Sequence, residues 1–246
     1  MIFRKNKLLI LILLVTCAWS LGGFGVSGLS TYGMTTCRED YEQNGATDLR
    51  LESCSIENAI ELGFSPFIYF DALPYDLAIQ YNREIKYTAL DSYLQLGAGL
   101  GSDYEFETTD FESAVLRISD YLTIRKEIIG LSIPMLAKAA LYIGGGINYH
   151  NTVFPSIALL KDITDMNDLD NIYNAFNGSI DSSQLIDALE NHGIESNGIH
   201  VQTGIQGKIF TLNIFANAKY TIILNDDDNS IKESFPGLDI GLALGI

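Results

Sequence analysis

Hydrophobic and polar residues alternate with a period of two along most of this chain, which is the signature of β-strands with two different faces. The last ten residues carry it most plainly: Leu238, Ile240, Leu242, Leu244 and Ile246 share one side of an extended strand, and Asp239, Gly241, Ala243 and Gly245 share the other. The same rhythm places Ile60, Leu62, Phe64, Pro66, Ile68 and Phe70 against Glu61, Gly63, Ser65, Phe67, Tyr69 and Asp71. The Leu73-Pro74-Tyr75 step then predicts a tight turn, and Tyr75, Leu77, Ile79 and Tyr81 continue against Asp76, Ala78, Gln80 and Asn82. A further segment sets Leu94, Leu96, Ala98 and Leu100, read as an apolar face, opposite Tyr93, Gln95 and three glycines.

Residues 111–135 are less regular. Leu116, Ile118, Leu122 and Ile124 alternate with Arg117, Ser119, Tyr121, Thr123 and Arg125, but Asp120 and Lys126 occupy the apolar register. A break near Asp120 with two short strands is the expectation, Lys126 extending toward a headgroup region. After Pro134 the pattern returns over residues 138–150, with Gly144-Gly145-Gly146 leaving room for crowded side chains on the polar face, and it resumes over 199–209 and 212–222. Residues 151–197 break the rhythm. They hold several aspartates and a helical repeat of Leu185, Ile186 and Leu189 that Ser182 would cap and Gly193 would end, so they predict a long loop with one short helix.

The identity of the polar faces decides between a soluble sandwich and a membrane barrel. They are rich in Gly, Ala, Asn, Gln and Tyr, which suits crowding inside a narrow closed cylinder and not contact with bulk water. Closure removes the open edges that lipid does not tolerate. The expected fold is therefore an all-β, closed, antiparallel up-and-down transmembrane barrel of 8–10 strands. Even strand counts bring both ends to one side. With that side periplasmic, the tight connections near Pro74, Pro134 and Gly207 are periplasmic, and those spanning Cys37–Cys54, Asn151–Asn197 and Asn225–Pro236 are extracellular.

Residues 1–20 have the parts of an export signal: Arg4, Lys5 and Lys7, an apolar run from Leu8 to Val15, and small residues at Ala18 and Ser20. Cleavage after Ser20 is expected, leaving residues 21–246 as the barrel. A lipidated Cys17 is the weaker alternative, because Leu14-Val15-Thr16 lacks a small residue before the cysteine. The whole chain has 15 Lys+Arg against 31 Asp+Glu, and three of the basic residues lie in the leader. Acidity of this degree argues against nucleic acid as a partner. The two cysteines left in the mature chain, Cys37 and Cys54, flank a short polar segment of an exported protein and are expected to form a disulfide.

With this pattern of strands, turns and leader, the chain resembles the small bacterial outer-membrane β-barrel proteins, related in pattern to the OmpA and OmpW families. The resemblance covers nearly the whole mature chain and implies an outer-membrane location, contact with its lipid, and insertion by the barrel assembly machinery. That machinery favours a terminal aromatic residue, and the last strand here closes on Ile246 in its place.

Candidate lumen-facing groups are Arg117, Arg125, Lys138, His200, Lys208 and Lys219, with Glu61 and Asp239 among the opposing acids. In a wide pore they would tune ion selectivity; in a narrow one they would pair and fill the interior. No nucleophile motif, phosphate loop, metal-ligand spacing or cofactor motif is present. His150 and His200, near one another across the base of the long loop, are the remote catalytic candidates, and His150 is expected at the outer rim. The functional expectation is passage of small or apolar solutes through the barrel, without catalysis, cofactor or metal. The alternative is a filled barrel that displays its extracellular loops.

Overall fold

The structure is a computed structural model, and it describes residues 22–32, 38–44, 47–55, 60–98, 105–133, 136–159, 191–226 and 234–245. Its strands are β1 (Gly22–Tyr32), β2 (Arg38–Asn44), β3 (Thr47–Ser55), β4 (Ile60–Leu73), β5 (Leu77–Ala98), β6 (Glu105–Ile133), β7 (Ala137–Val153), β8 (Ile194–Ile209), β9 (Leu212–Asp226) and β10 (Ser234–Gly245). They form one 10-stranded sheet in the order β2-β3-β5-β4-β1-β10-β9-β8-β7-β6, and the further pairing of β5 with β6 closes it. Eight strands make the ring. The β2–β3 hairpin rides on β5 above β4: β3 pairs with β5 from Ala98 to Leu90, and β4 takes over from Tyr87 downward. The chain is thus an antiparallel up-and-down barrel whose first hairpin continues as a second, stacked one.

Registered pairs define how the barrel is sheared. Starting at Leu77 on β5 and stepping through Lys126, Ile143, Thr203, Ala218, Leu238, Ser30 and Leu62, the ladder returns to β5 at Tyr87, ten residues on. A stagger of this size over eight strands tilts them roughly 40° from the axis. The lumen is then only wide enough for side chains.

The faces keep the expected parity. On β8, Ile199, Val201, Ile205 and Ile209 are exposed outward while His200, Gln202 and Gly204 are buried; on β10, Leu238, Ile240, Leu242 and Leu244 are exposed and Asp239 and Ala243 buried. The tight connections lie together at one end. Pro74–Asp76 is a 3-10 turn with Tyr75 and Asp76 at positive φ, and Phe210 and Thr211 join β8 to β9. The connections from β5 to β6, β7 to β8 and β9 to β10 lie at the other end.

Several sequence expectations are corrected. There is no break at Asp120: β6 is continuous from Glu105 to Ile133, because the outward-facing carboxylate of Asp120 is met across the ladder by Arg83 on β5. The segment between Cys37 and Cys54 contains the β2–β3 hairpin and is not simply a loop. The turn after β8 is at Phe210, not Gly207, which remains inside the ladder between Ala139 and Ile214. Leu94 and Leu96 do not begin a new strand but continue β5, and Leu100 lies outside the described residues. Leu94 lies in the same inward register as Leu90 and pairs with Leu51, which is fully buried.

Helix is confined to Ile157–Leu159 and the 191–192 pair among the described residues. The first was not anticipated; Ser156 Oγ caps it by accepting from the Leu159 N–H at 3.1 Å. Of the helix expected over 182–191, only Asn191 is described, and it is helical. Cys37 and the 1–20 leader lie outside the described residues, so the Cys37–Cys54 pairing and the leader are not described either.

Gly146 illustrates the crowding that selects glycine on the inner face. A Cβ there would run into the carbonyl of Leu122 and the ring of His200. Gly146→Val is expected to lower the stability of the folded barrel by roughly 2 kcal/mol, since neither neighbour can retreat without moving the ladder. A fall in the urea midpoint of the refolded protein measures it, and an unchanged midpoint would contradict the packing.

Candidate functional site

The interior is the part of the molecule where chemistry is concentrated. Alternation sends every second residue inward, and in the ring those residues are mostly polar or charged, so they must satisfy one another. They do so in layers.

Nearest the short-turn end, the Arg125 guanidinium lies among the rings of Tyr142, Tyr69 and Phe215, with centroids 4.9, 5.2 and 5.3 Å away. It donates to Gln80 Oε1 at 3.0 Å and to Asp71 Oδ1 at 2.8 Å. Phe67 and Phe215 meet edge to face. Below them is a cavity of about 100 Å³, with Arg125 and Tyr142 themselves in its lining beside Asp71, Glu127, Lys138 and Gln206. Lys138 is ion-paired with Glu127 at this mouth and is 43% exposed. Lys208, half-buried, faces Lys138 in register. These two lysines belong to the rim, not to the enclosed interior.

In the middle layer Glu84 binds two ammonium groups, Lys86 at 2.8 Å and Lys219. Lys219 also sits over the Tyr121 ring, 3.6 Å from its centroid. Asp239 accepts from Asn217 Nδ2 at 2.7 Å, and Asn217 in turn accepts from the Tyr142 hydroxyl. His200 Nε2 shares a hydrogen bond with Thr123 Oγ1 at 2.9 Å, and its ring packs edge-on to Tyr121.

Higher still, Arg117 Nη1 donates to both oxygens of Glu61, at 2.8 and 2.6 Å, while its Nε donates to Thr152 Oγ1 at 2.9 Å. Both partners are 1% exposed. Above this pair the interior turns apolar: Leu90, Val115, Phe154, Ile223 and Phe235 form a buried cluster with Ile194 against it. The ionic layers are thus capped by a hydrophobic core at the long-loop end.

His150 is not at the rim. It is fully buried, its Nδ1 hydrogen-bonded to Ser119 Oγ at 2.7 Å and its Nε2 to Asn148 Oδ1 at 2.8 Å. The three side chains have the connectivity of a hydrolytic triad, but Ser119 is 0% exposed and no described cavity reaches it. His150 and His200 flank the same Tyr121 ring from either side.

Glu61, Arg117, Arg125, His200, Lys219 and Asp239 therefore all face the interior, as read from alternation. Glu84 and Lys86 escaped that reading. The signal was available, since they continue the inward parity of Ala78, Gln80 and Asn82 on the same strand.

No family model and no curated protein matches the chain. Among solved structures it is similar to Neisserial surface protein A, at 13% identity over 91% of this chain and 97% of that one, with a TM-score of 0.35. It is also similar to Ail, the attachment invasion locus protein of Yersinia pestis, in complex with the heparin analogue sucrose octasulfate, at 7% identity over 92% of this chain and 99% of that one, with a TM-score of 0.34. The fold assignment itself rests on the closed strand ladder.

Glu61 and Arg117 give a direct test of the interior. Removing one partner strands a buried charge, so Glu61→Leu and Arg117→Met are each expected to cost about 3 kcal/mol or more, and the double variant markedly less than the sum. A double-mutant cycle from urea unfolding of the refolded protein reads the coupling; additive losses would show that the pair is not enclosed together.

Proposed function

We propose that the protein is a bacterial outer-membrane barrel with a solid interior, whose working part is the wall and loops standing above the bilayer. The observation that carries this reading is an exchange of polarity along β5. From Ala78 to Thr88 the inward side chains are mostly polar while Ile79, Tyr81, Ile85 and Tyr87 face out. From Leu90 onward the inward residues include buried Leu90, and Asp91 is exposed. Parity is unchanged. What changes is the medium outside, from hydrocarbon to water. β3 agrees: Leu49 and Leu51 are buried inward, while Arg50 and Glu52 are partly exposed on the other face.

The wall above this boundary is a water-facing sheet of β2, β3, β5 and β6 with its own apolar filling. Its outer face presents Glu39, Tyr41, Asp91 and Tyr93. Loop display is supported over solute passage because both the Glu84–Lys219 bridge, which joins the opposite strands β5 and β9, and the apolar cap lie across the lumen. Passage of small solutes would require both to move aside. Catalysis is no part of this reading, since the Ser119–His150–Asn148 group is enclosed. Residues 1–20 serve as the export signal, outer-membrane lipid surrounds the band, and the assembly machinery inserts the chain. A Cys37–Cys54 disulfide belongs to the same reading, supported by two thiols that flank a short polar segment of an exported chain.

In planar bilayers the refolded protein is expected to give no single-channel steps while retaining heat-modifiable migration. Reproducible steps would favour passage. On intact cells, Tyr41→Cys is expected to react with a membrane-impermeant maleimide and Tyr75→Cys is not; the reverse would invert the topology.

A further inference from the structure

The outer wall carries one charged cluster inside the apolar band. Arg83 and Asp120, directly opposite in the β5–β6 register, both face outward. Arg83 Nε donates to Asp120 Oδ1 and Nη2 to Oδ2, each at 2.8 Å, and the Tyr81 hydroxyl donates to Oδ1 at 2.6 Å. The Arg83 side chain is 54% exposed and that of Asp120 25%. Around the rest of the wall, through β7, β8, β9, β10, β1 and β4, the described outward side chains of the band carry no charge.

Arg83 lies six residues above Leu77 and four below Tyr87 on β5. At about 3.3 Å per residue and the tilt derived above, this is roughly 15 Å above one boundary of the band and roughly 10 Å below the other. The cluster therefore faces acyl chains, if the membrane reading on which this inference rests is correct. Of the five guanidinium N–H donors, two are taken by Asp120 and a third meets the Tyr81 hydroxyl, leaving two with no partner among the described residues. Hydrocarbon cannot accept them, and charged groups at such depth face protein or water, not lipid. The in-register, two-point clamp on Asp120 holds the guanidinium at this level, away from the headgroups.

We propose that this face is where a second copy of the chain docks within the membrane. A positive and a negative group side by side form a patch that is complementary to itself under a twofold axis along the membrane normal, the symmetry open to two barrels inserted the same way. In such a pair each Arg83 directs its free Nη1 to the remaining lone pair of the other copy's Asp120. The two ion pairs then join into one four-membered network between two walls. Ile118 and Leu122, which flank Asp120 on the outward face of β6, pack against their own counterparts, and the opposite wall at β9–β10 stays in lipid.

The test uses the full mature chain refolded into phosphatidylcholine vesicles, with flotation confirming insertion. Single-cysteine barrels, with Cys37 and Cys54 replaced by Ser, carry Ile118→Cys or, on the far wall, Ile240→Cys. Oxidative cross-linking to dimer is expected at position 118 and not at 240. The double variant Arg83→Met/Asp120→Leu, which leaves no lone charge in lipid, is expected to keep the heat-modifiable barrel and to reduce the dimer fraction at least tenfold, read by energy transfer between labelled copies. Equal yields at the two positions, or dimers indifferent to the double variant, overturn the proposal. So does a monomer whose Arg83 instead gives Arg83-dependent binding of phosphate-bearing lipid. A chain that fails to float with vesicles overturns the membrane reading first, and is distinguished by that step.

Discussion

Closure of the backbone ladder is the constraint from which the rest of the molecule follows. Once β5 pairs with β6, each strand of the ring has a hydrogen-bonding neighbour on both sides, which is what allows a sheet to face hydrocarbon. Closure with eight strands and a stagger of ten residues fixes the bore, and a bore of that size has room for side chains and little else. The inward residues cannot be hydrated by a water column. They have to be chosen so that they hydrate one another.

That requirement explains the composition of the interior better than any transport role. Glu61 is matched by Arg117, Asp71 by Arg125, and Glu84 by two lysines. The cations are placed over rings as well as beside carboxylates, as with Arg125 among Tyr69, Tyr142 and Phe215. Interior ion pairs of this kind add little net stability compared with well-packed apolar groups, but they are costly to break singly. They specify one register. A strand slipped by a single residue would turn its own inward charges out into lipid and leave their partners unpaired.

Alternation made the ring strands and the inward side of six of the eight candidate residues legible from the amino-acid sequence, because a period of two assigns parity without knowledge of the neighbours. It failed where the meaning of a face depends on a partner or on height. Asp120 looks like a break when only β6 is considered; its partner Arg83 is 37 residues away in the chain. Leu94 looks lipid-facing because apolar residues face outward lower on the same strand, and only the ladder shows it in the inward register beside buried Leu51. Lys138 and Lys208 have the correct parity but lie at the mouth, a matter of height that strand period cannot express. His150 was misplaced for the same reason, since its strand ends above it at Val153 and the wall around it is taller still.

Height also separates two kinds of hydrophobic interaction within one continuous sheet. In the ring, apolar side chains face out and are stabilised by lipid, so the interior can be ionic. Above Thr88, where the proposed reading puts water outside, the same strand buries apolar side chains inward, as Leu90 does with Val115 and Phe235. A soluble-protein core is therefore stacked on a membrane-protein interior, joined through strands that never change parity. The join falls beside Arg117 and Glu61, which have ionic layers on one side and the apolar cap on the other. A charge pair at that boundary is shielded from solvent on both sides, so the cap and the ionic layers are expected to be stable only together. Loosening the segment after β7 that carries Phe154 into the cap would expose the pair to water, and the stability of the upper wall and of the lumen would fall as one.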